Sequence, residues 1–417
     1  MKLINQLKTM AGENLEKCLK CTICTAYCPV MAVDPMYPGP KQAGPDQERF
    51  RLMDSAYFDD VLKMCLNCGR CETACPGGVR IPDIIQRARI QYGTHAPSLR
   101  DFILANTDLM GSVATKMAPV VNWTVGLKPV KSIMDGVLGI DHRRSFPKYA
   151  GRTFESWFKR EAAPLQAGFA KKVRYFHGCY VNYNYPRLGQ DFVAVMNALG
   201  YGVELLGGEK CCGVALIANG QAEHARRNAE RNIGLMKAGS GPVLTTSSTC
   251  TFTIRDEYPN LLGVDNSAVR EDVGLAVRFI SSLLESGEVR LAFKPGFRKK
   301  VAYHSACHAE LLGWTVYSID LLRRIPGLEL TVLESQCCGI AGTYGFKKEN
   351  YRRSQAIGEG LFEQIRTVAP EAVVTECETC KWQIEMSAGV PVQNPVSLLA
   401  EALDLEATAK LNATSDI

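Results

Sequence analysis

Residues 18–29, CLKCTICTAYCP, and residues 65–76, CLNCGRCETACP, are two copies of one pattern, Cys-x2-Cys-x2-Cys-x3-Cys-Pro. Three closely spaced thiolates in a tight turn can hold three corners of a metal–sulfide cube. The fourth, beyond a change of chain direction, reaches over to a second cube. The pattern therefore predicts two [4Fe–4S] clusters, one on Cys18, Cys21, Cys24 and Cys75 and the other on Cys65, Cys68, Cys71 and Cys28. Zinc sites also use Cys-x2-Cys. They do not need a third cysteine two residues on and a fourth followed by proline, in duplicate. The 36 residues between Cys28 and Cys65 exceed the gap of small bacterial ferredoxins and favour a helical variety, with IPDIIQRARIQYG (81–93) packed after the second motif.

These eight are fewer than half of the 17 cysteines in 417 residues. The other nine fall in an internal duplication. Its first half runs VRYFHGC (173–179), an amphipathic stretch to Leu199, VELL (203–206), Cys211-Cys212-Gly213, a helical stretch from Gln221 to about Lys237, PVLTT (242–246) and Cys250. Its second half repeats the order with VAYHSAC (301–307), LELTVL (328–333), Cys337-Cys338-Gly339, a helix from about Lys347, AVVT (372–375) and Cys377-Glu378-Thr379-Cys380. Short apolar runs alternating with longer amphipathic stretches predict βαβ units with parallel strands. Every cysteine group then follows a strand, at the sheet edge where open α/β folds place ligands.

The predicted fold is an α+β multidomain chain: an N-terminal, mainly α-helical two-cluster ferredoxin domain, then two repeated α/β Cys-Cys-Gly modules with parallel sheets. The expected boundaries are 1–98 for the ferredoxin-type domain, 99–170 for an apolar and basic linker, 171–292 and 293–405 for the modules, and 406–417 for a flexible tail. The modules are expected to pack around a pseudo-twofold axis with their cysteine edges facing each other or a shared partner.

The second module offers five candidate metal ligands, Cys307, Cys337, Cys338, Cys377 and Cys380. The first offers four, Cys179, Cys211, Cys212 and Cys250, with Ser247 where the second has Cys377. Adjacent cysteines do not readily ligate one metal in simple tetrahedral geometry, so the pattern points away from a cubane. The glycine is read as relieving crowding where backbone approaches inorganic sulfide. Buried inert cysteine is the alternative for any single one of the nine, and thiol redox chemistry is the alternative for Cys377-x-x-Cys380. His177 and His304 precede their cysteines closely enough to be ligands or proton donors. Satisfied buried histidines are the simpler expectation for both.

Composition narrows the function. Hydrophobic content of 46% and charged content of 22% are globular values. A net charge of +5 without a long Lys/Arg run argues against nucleic acid. The first residues, MKLINQLKTMAGENLEK, lack the apolar segment of a signal peptide, so many cysteines in a reducing compartment point to metal. No apolar stretch is long enough to span a bilayer. The cysteine-free segment contains MAPVVNWTVGL (117–127), uncharged and flanked by Lys116 and Lys128. It suits a bilayer interface, or equally a helical hairpin covering the neighbouring domains. No G-x-G-x-x-G follows a strand and no P-loop is present, so no dehydrogenase site and no catalytic residue are expected.

The two ferredoxin motifs, MYPGPKQAGPD (36–46), LRDFILANTDLMGSV (99–113), IDHRRSFPKY (140–149), CCGVALIANG (211–220), TSSTCTF (246–252), QCCGIAGTYGFKKENY (336–351) and CETCKWQIEMS (377–387) together resemble the family of anaerobic glycerol-3-phosphate dehydrogenase C subunits. The Cys-Cys-Gly modules are also similar to those of heterodisulfide reductase B subunits and of lactate and succinate oxidoreductase components. The resemblance implies an electron-transfer subunit serving anaerobic respiration. A flavoprotein subunit oxidises sn-glycerol 3-phosphate and a second subunit joins it. This chain attaches the complex to the cytoplasmic side of the inner membrane as a peripheral protein and passes electrons to menaquinone. It also implies that five-cysteine modules hold noncubane clusters, so one additional cluster is expected in the second module. Ser247 departs from that pattern in the first. The alternative is a related complex, of lactate-utilisation or heterodisulfide-reductase type, with its own quinone or disulfide reduction site at the second module.

Overall fold

A computed structural model describes residues 15–54, 57, 59–92 and 97–413. The start of the chain and residues 414–417 of the expected tail lie outside them.

The duplicated halves each form a four-stranded parallel sheet. Strands β1 (Lys171–Tyr175), β2 (Tyr201–Leu205), β3 (Val243–Thr245) and β4 (Val273–Leu275) lie in the order β2-β1-β3-β4. Strands β5 (Lys299–Tyr303), β6 (Leu328–Val332), β7 (Ala372–Val374) and β8 (Val392–Gln393) repeat it as β6-β5-β7-β8. In both sheets the strand order reverses between the first and third strands, which opens a crevice at their carboxyl ends. The six apolar runs read from the sequence are six of these strands. β4 and β8 lie beyond the duplicated cysteine motifs that mark the other strands, and three and two residues show no period by themselves.

Alternation along the strands divides the molecule into layers. Val173 and Tyr175 of β1 and Val301 and Tyr303 of β5 face one shared core between the modules. Ala302 faces the outer Tyr351–Val368 helix through Leu361 and Ile365. On the outer side of the first sheet, Val243 and Val273 meet Ile233 and Met236 of the Ala222–Lys237 helix. Packing across the shared core is reciprocal. The Pro186–Ala198 helix of the first module meets the Pro395–Ala402 helix of the second, and the equivalent Thr315–Arg323 helix meets Ala276–Glu285. Such exchange of equivalent partners is a twofold relation. The cysteine edges lie side by side: Ser248 N donates to Glu376 O at 3.1 Å, and Thr249 Oγ1 is 3.8 Å from Cys377 Sγ.

The ferredoxin-type segment folds around Tyr37, Leu62, Val79, Ile84 and Ile85, with Tyr344 and Ile357 of the second module in the same cluster. Its Ile81–Tyr92 helix also packs on the Tyr258–Leu262 helix of the first.

Two expectations are corrected. Residues 99–170 are not a linker. Phe154, Phe158 and Ala162 belong to the shared core, Gln166 Oε1 accepts from Val203 N at 2.8 Å, and buried Arg144 donates to Ser354 Oγ at 2.9 Å. Nor are residues 406–413 a free tail. The Leu405–Ala413 helix docks on Pro186–Ala198, with Thr408 buried and Asn412 Nδ2 donating to Arg290 O at 2.9 Å. Its small polar residues are the ones that fit a close helix contact and bond backbone there. Among the described residues, no helix is long and apolar enough to cross a membrane.

Candidate metal centres

The two ferredoxin motifs fold alike because both loops turn through the left-handed region at the same places. These are Lys20 (φ 59°) and Thr22 (φ 62°) in one copy, and Asn67 (φ 57°) and Gly69 (φ 72°) in the other. Three of the four are not glycine, and such conformations persist where the surroundings over-determine them. A one-turn helix follows each, Ile23–Ala26 and Arg70–Thr73.

The loops close on two cavities. Cys18, Cys21, Cys24 and Cys75 line one, while Cys28, Cys65, Cys68 and Cys71 line the other, so the last cysteine of each motif sits with the first three of its partner. All eight thiols are free. Burial pushes the Cys65 thiol up to about 11 and Cys28 up to about 12. Crowded, desolvated thiols resist ionisation even with Arg89 acting on Cys65 and Arg70 on Cys68, and a positively charged metal–sulfide core removes that resistance. The donor set therefore fits a cluster in each cavity. Cys21 is exposed, so the first cavity opens outward.

The second cavity faces inward, against the second module. Cys68 is close enough for its charge to act on Cys307 and Cys337. Leu311 lies so tightly over Gly69 that an added Cβ would meet its methyls at 2.4 Å. Arg70 Nη2 donates to Ser335 Oγ at 2.8 Å and pairs with Glu310 at 3.4 Å.

In the second module the five cysteines converge where β5, β6 and β7 end. Cys338 Sγ is 3.2 Å from Cys380 Sγ, Gly339 N donates to Cys337 Sγ at 3.4 Å, and Cys307 opens the Cys307–Leu312 helix. Cys377 caps the Glu378–Ala388 helix, its Sγ accepting from Cys380 N at 3.4 Å. Hydrogen bonding from Cys380 is the main reason its thiol is drawn down to about 7.

The first module has the same backbone with fewer thiols. Cys179 Sγ is 3.7 Å from Cys211 Sγ, and Cys211 and Cys250 act together to push the Cys212 thiol well up. Ser247 has the backbone of Cys377, φ/ψ −117°/117° against −117°/116°. Its Oγ donates to Glu378 Oε2 at 2.9 Å and accepts from Cys250 N at 3.2 Å. Asp108, from the Thr107–Lys116 helix, accepts from Cys211 N at 2.8 Å, and burial pushes its carboxyl up to about 7. No sequence signal marked Asp108, which lies 103 positions from the cysteine it bonds.

The two histidines, expected alike from the sequence, differ here. His177 is satisfied, with Nδ1 3.0 Å from Gly178 O and 3.2 Å from Glu209 Oε1. His304 is not satisfied, since neither ring nitrogen has a hydrogen-bond partner among the described residues. The glycine of the second Cys-Cys-Gly is also required by backbone. Gly339 has φ +83°, and an added Cβ would stand 2.0 Å from Ser354 O of the covering helix.

Fold and donor sets together define a class, iron–sulfur proteins that join a dicluster domain to paired cysteine-rich domains. Residues 14–79 match the family described as 4Fe-4S dicluster domain, and residues 173–255 and 301–385 match the cysteine-rich domain called CCG. Within that class, the chain is 56% identical to the C subunit of the anaerobic glycerol-3-phosphate dehydrogenase of Escherichia coli, over 94% of this chain and 100% of that protein. It belongs to the family of anaerobic glycerol-3-phosphate dehydrogenase C subunits and is an iron–sulfur subunit of that kind. A more distant relative is the B subunit of the fumarate reductase (CoM/CoB) of Methanothermobacter marburgensis, 26% identical over 93% of this chain and 72% of that one. Another is the D subunit of the dihydromethanophenazine:CoB–CoM heterodisulfide reductase of Methanosarcina barkeri, 23% identical over 94% of both chains.

Proposed function

We propose that this chain carries electrons from the flavin subunit of its complex to menaquinone, entering at Cys18–Cys24 and leaving through the second Cys-Cys-Gly module. The observation that carries the reading is the packing of the second ferredoxin loop on the second module, with Leu311 over Gly69 and Arg70 on Ser335 and Glu310, which leaves Cys68 near enough for its charge to act on Cys307 and Cys337. In it the eight ferredoxin cysteines hold two [4Fe–4S] clusters in the sets given above, and Cys307, Cys337, Cys338, Cys377 and Cys380 hold a third, noncubane group. The four thiols of the first module hold none. When bound, such clusters pass single electrons at potentials set by hydrogen bonding and exposure.

The chain's own residues supply the rest. Exposed Cys21, with Leu19 and Ile23 exposed beside it, offers an entrance for the flavin subunit to cover. Arg70, Ser335 and Glu310 fix the gap between the second ferredoxin loop and the module. Attachment to the cytoplasmic face of the inner membrane is assigned to residues 107–138. Val113, Met117, Val120, Trp123, Ile133 and Val137 there are all more than half exposed, and Lys116 and Lys128 stand beside them. An exposed tryptophan among aliphatics with basic edges suits an anionic bilayer surface.

Cys337→Ser tests the route. The expected result is loss of quinone reduction, with both ferredoxin-type EPR signals still reduced by glycerol 3-phosphate through the partner subunits. Unimpaired quinone reduction would sink the second module as the exit. Charging the surface with Val120→Glu and Trp123→Glu should abolish co-sedimentation with anionic vesicles, and unchanged binding would remove the membrane assignment.

A further inference from the structure

We propose that His304 donates a ring N–H to a sulfur of the metal group in the second module and thereby raises its reduction potential. The proposal rests on the reading that this module is loaded.

The two modules supply an internal control. His304 follows β5 as Phe176 follows β1, and their backbones are held alike: Phe176 N donates to Leu244 O and His304 N to Val374 O, both at 2.9 Å. Phe176 packs in one cluster with Cys211 and Cys212. An aromatic ring therefore fills this place without any polar atom, and histidine is not needed for shape.

His304 is 1% exposed, and both of its ring nitrogens lack a hydrogen-bond partner among the described residues. Leaving a buried donor unmade is costly, so native structures seldom do it without reason. Sulfur is within reach: a ring nitrogen, Cys338 Sγ and Cys380 Sγ all lie within 4.8 Å of one another. Five cysteines already supply the thiolates, so the imidazole is left to act as a donor. An N–H···S bond strengthens as charge accumulates on sulfur, which favours the reduced state. His304 acts through the ligands and is a positioning residue.

The test compares His304→Phe, the residue of the sister module, with His304→Gln, which keeps an N–H. Both are made in the full chain and purified anaerobically. The readouts are iron content, EPR-monitored redox titration, and the coupling of an exchangeable proton after transfer to 2H2O. The expected result is wild-type iron in His304→Phe, with the second-module signal titrating at lower potential and the exchangeable coupling gone, and recovery of both in His304→Gln.

An unchanged potential and coupling in His304→Phe overturns the proposal. A strong coupling to 15N-labelled histidine in the wild type also overturns it, since that marks a direct ligand. Should His304→Phe lose iron, a loaded His304→Gln with wild-type potential supports the donor role, and an unloaded one refutes it. About eight irons in the wild type would refute the loaded module itself, whereas more than eight with an indifferent His304 refutes only the donor.

Discussion

The two Cys-Cys-Gly modules share strand order, backbone angles at the cysteine turn and reciprocal packing, yet differ in the atoms they aim at their crevices. Where the first has Phe176 and Ser247, the second has His304 and Cys377. The second also receives Cys68 of the ferredoxin loop, while the strongest influences on Cys211 in the first come from Cys179, Cys212 and burial, with Thr107 also acting. A duplicated fold can thus keep its architecture in both copies and confine its chemistry to one, because the sheet depends on alternating apolar residues and the site on a few positions at strand ends.

The matched cysteines give the sharpest way to break this contrast. Cys338→Ser is expected to lower quinone reduction at least ~100-fold, a loss of about 2.7 kcal/mol in transition-state terms, and to lower iron content. Cys212→Ser, the same position in the first module, should stay within about twofold. Equal losses would mean that both modules carry current.

The glycines come next. Gly339 and Gly213 both need a left-handed backbone, but Gly213 has Ala225 Cβ at 3.3 Å as its nearest prospective neighbour while Gly339 faces Ser354 O at 2.0 Å. Gly213→Ala should cost about 1–2 kcal/mol, the range of such strain. Gly339→Ala should exceed about 3 kcal/mol, because a backbone carbonyl cannot step aside. Denaturation of the apo chain measures both, and similar costs would show that the Tyr351–Val368 helix yields.

What the sequence displayed follows the range of the forces involved. Metal ligands must be close in space, and in the ferredoxin loops that closeness is also local, so Cys18 to Cys28 and Cys65 to Cys75 announce themselves. Strands such as VRYF and VAYH are legible because burial imposes a period. Asp108 on Cys211, Arg144 among Gly345 and Gln383, and Cys68 against Cys307 are long-range encounters with no local mark. The same holds for His304: its motif position was visible, but its lack of a partner depends on everything packed around it. Small polar residues at 406–413 look like solvent-exposed chain until the helix they dock on is known.

Ser247→Cys sharpens the comparison by adding the fifth thiol to the first module. Its backbone already matches Cys377, so the expected result is iron uptake beyond the wild-type content. The cost should be about 1 kcal/mol for weakening the bonds to Glu378 and Cys250 N. Unchanged iron would show that the fifth cysteine is not what separates the modules.

The smallest effect concerns how the ferredoxin loop is fastened to the first module. Asn67 Nδ2 donates to Glu257 Oε1 at 2.8 Å, and Thr253 Oγ1 donates to Glu257 Oε2 at 2.7 Å. Burial pushes this carboxyl up to about 7, so the folded state holds its proton more tightly than the unfolded chain does. A raised pKa contributes stability that is fully present below the unfolded value and lost as pH rises through the folded one. Stability should therefore fall by about 1 kcal/mol between pH 6 and 8 on account of Glu257. Glu257→Gln, neutral throughout, should remove that slope while leaving stability near pH 5 little changed. One contact to the second module is the salt bridge between Arg70 and Glu310, a half-buried pair. Screening by salt should weaken that contact and spare the Glu257 slope, so denaturation at two pH values and two ionic strengths separates the two attachments.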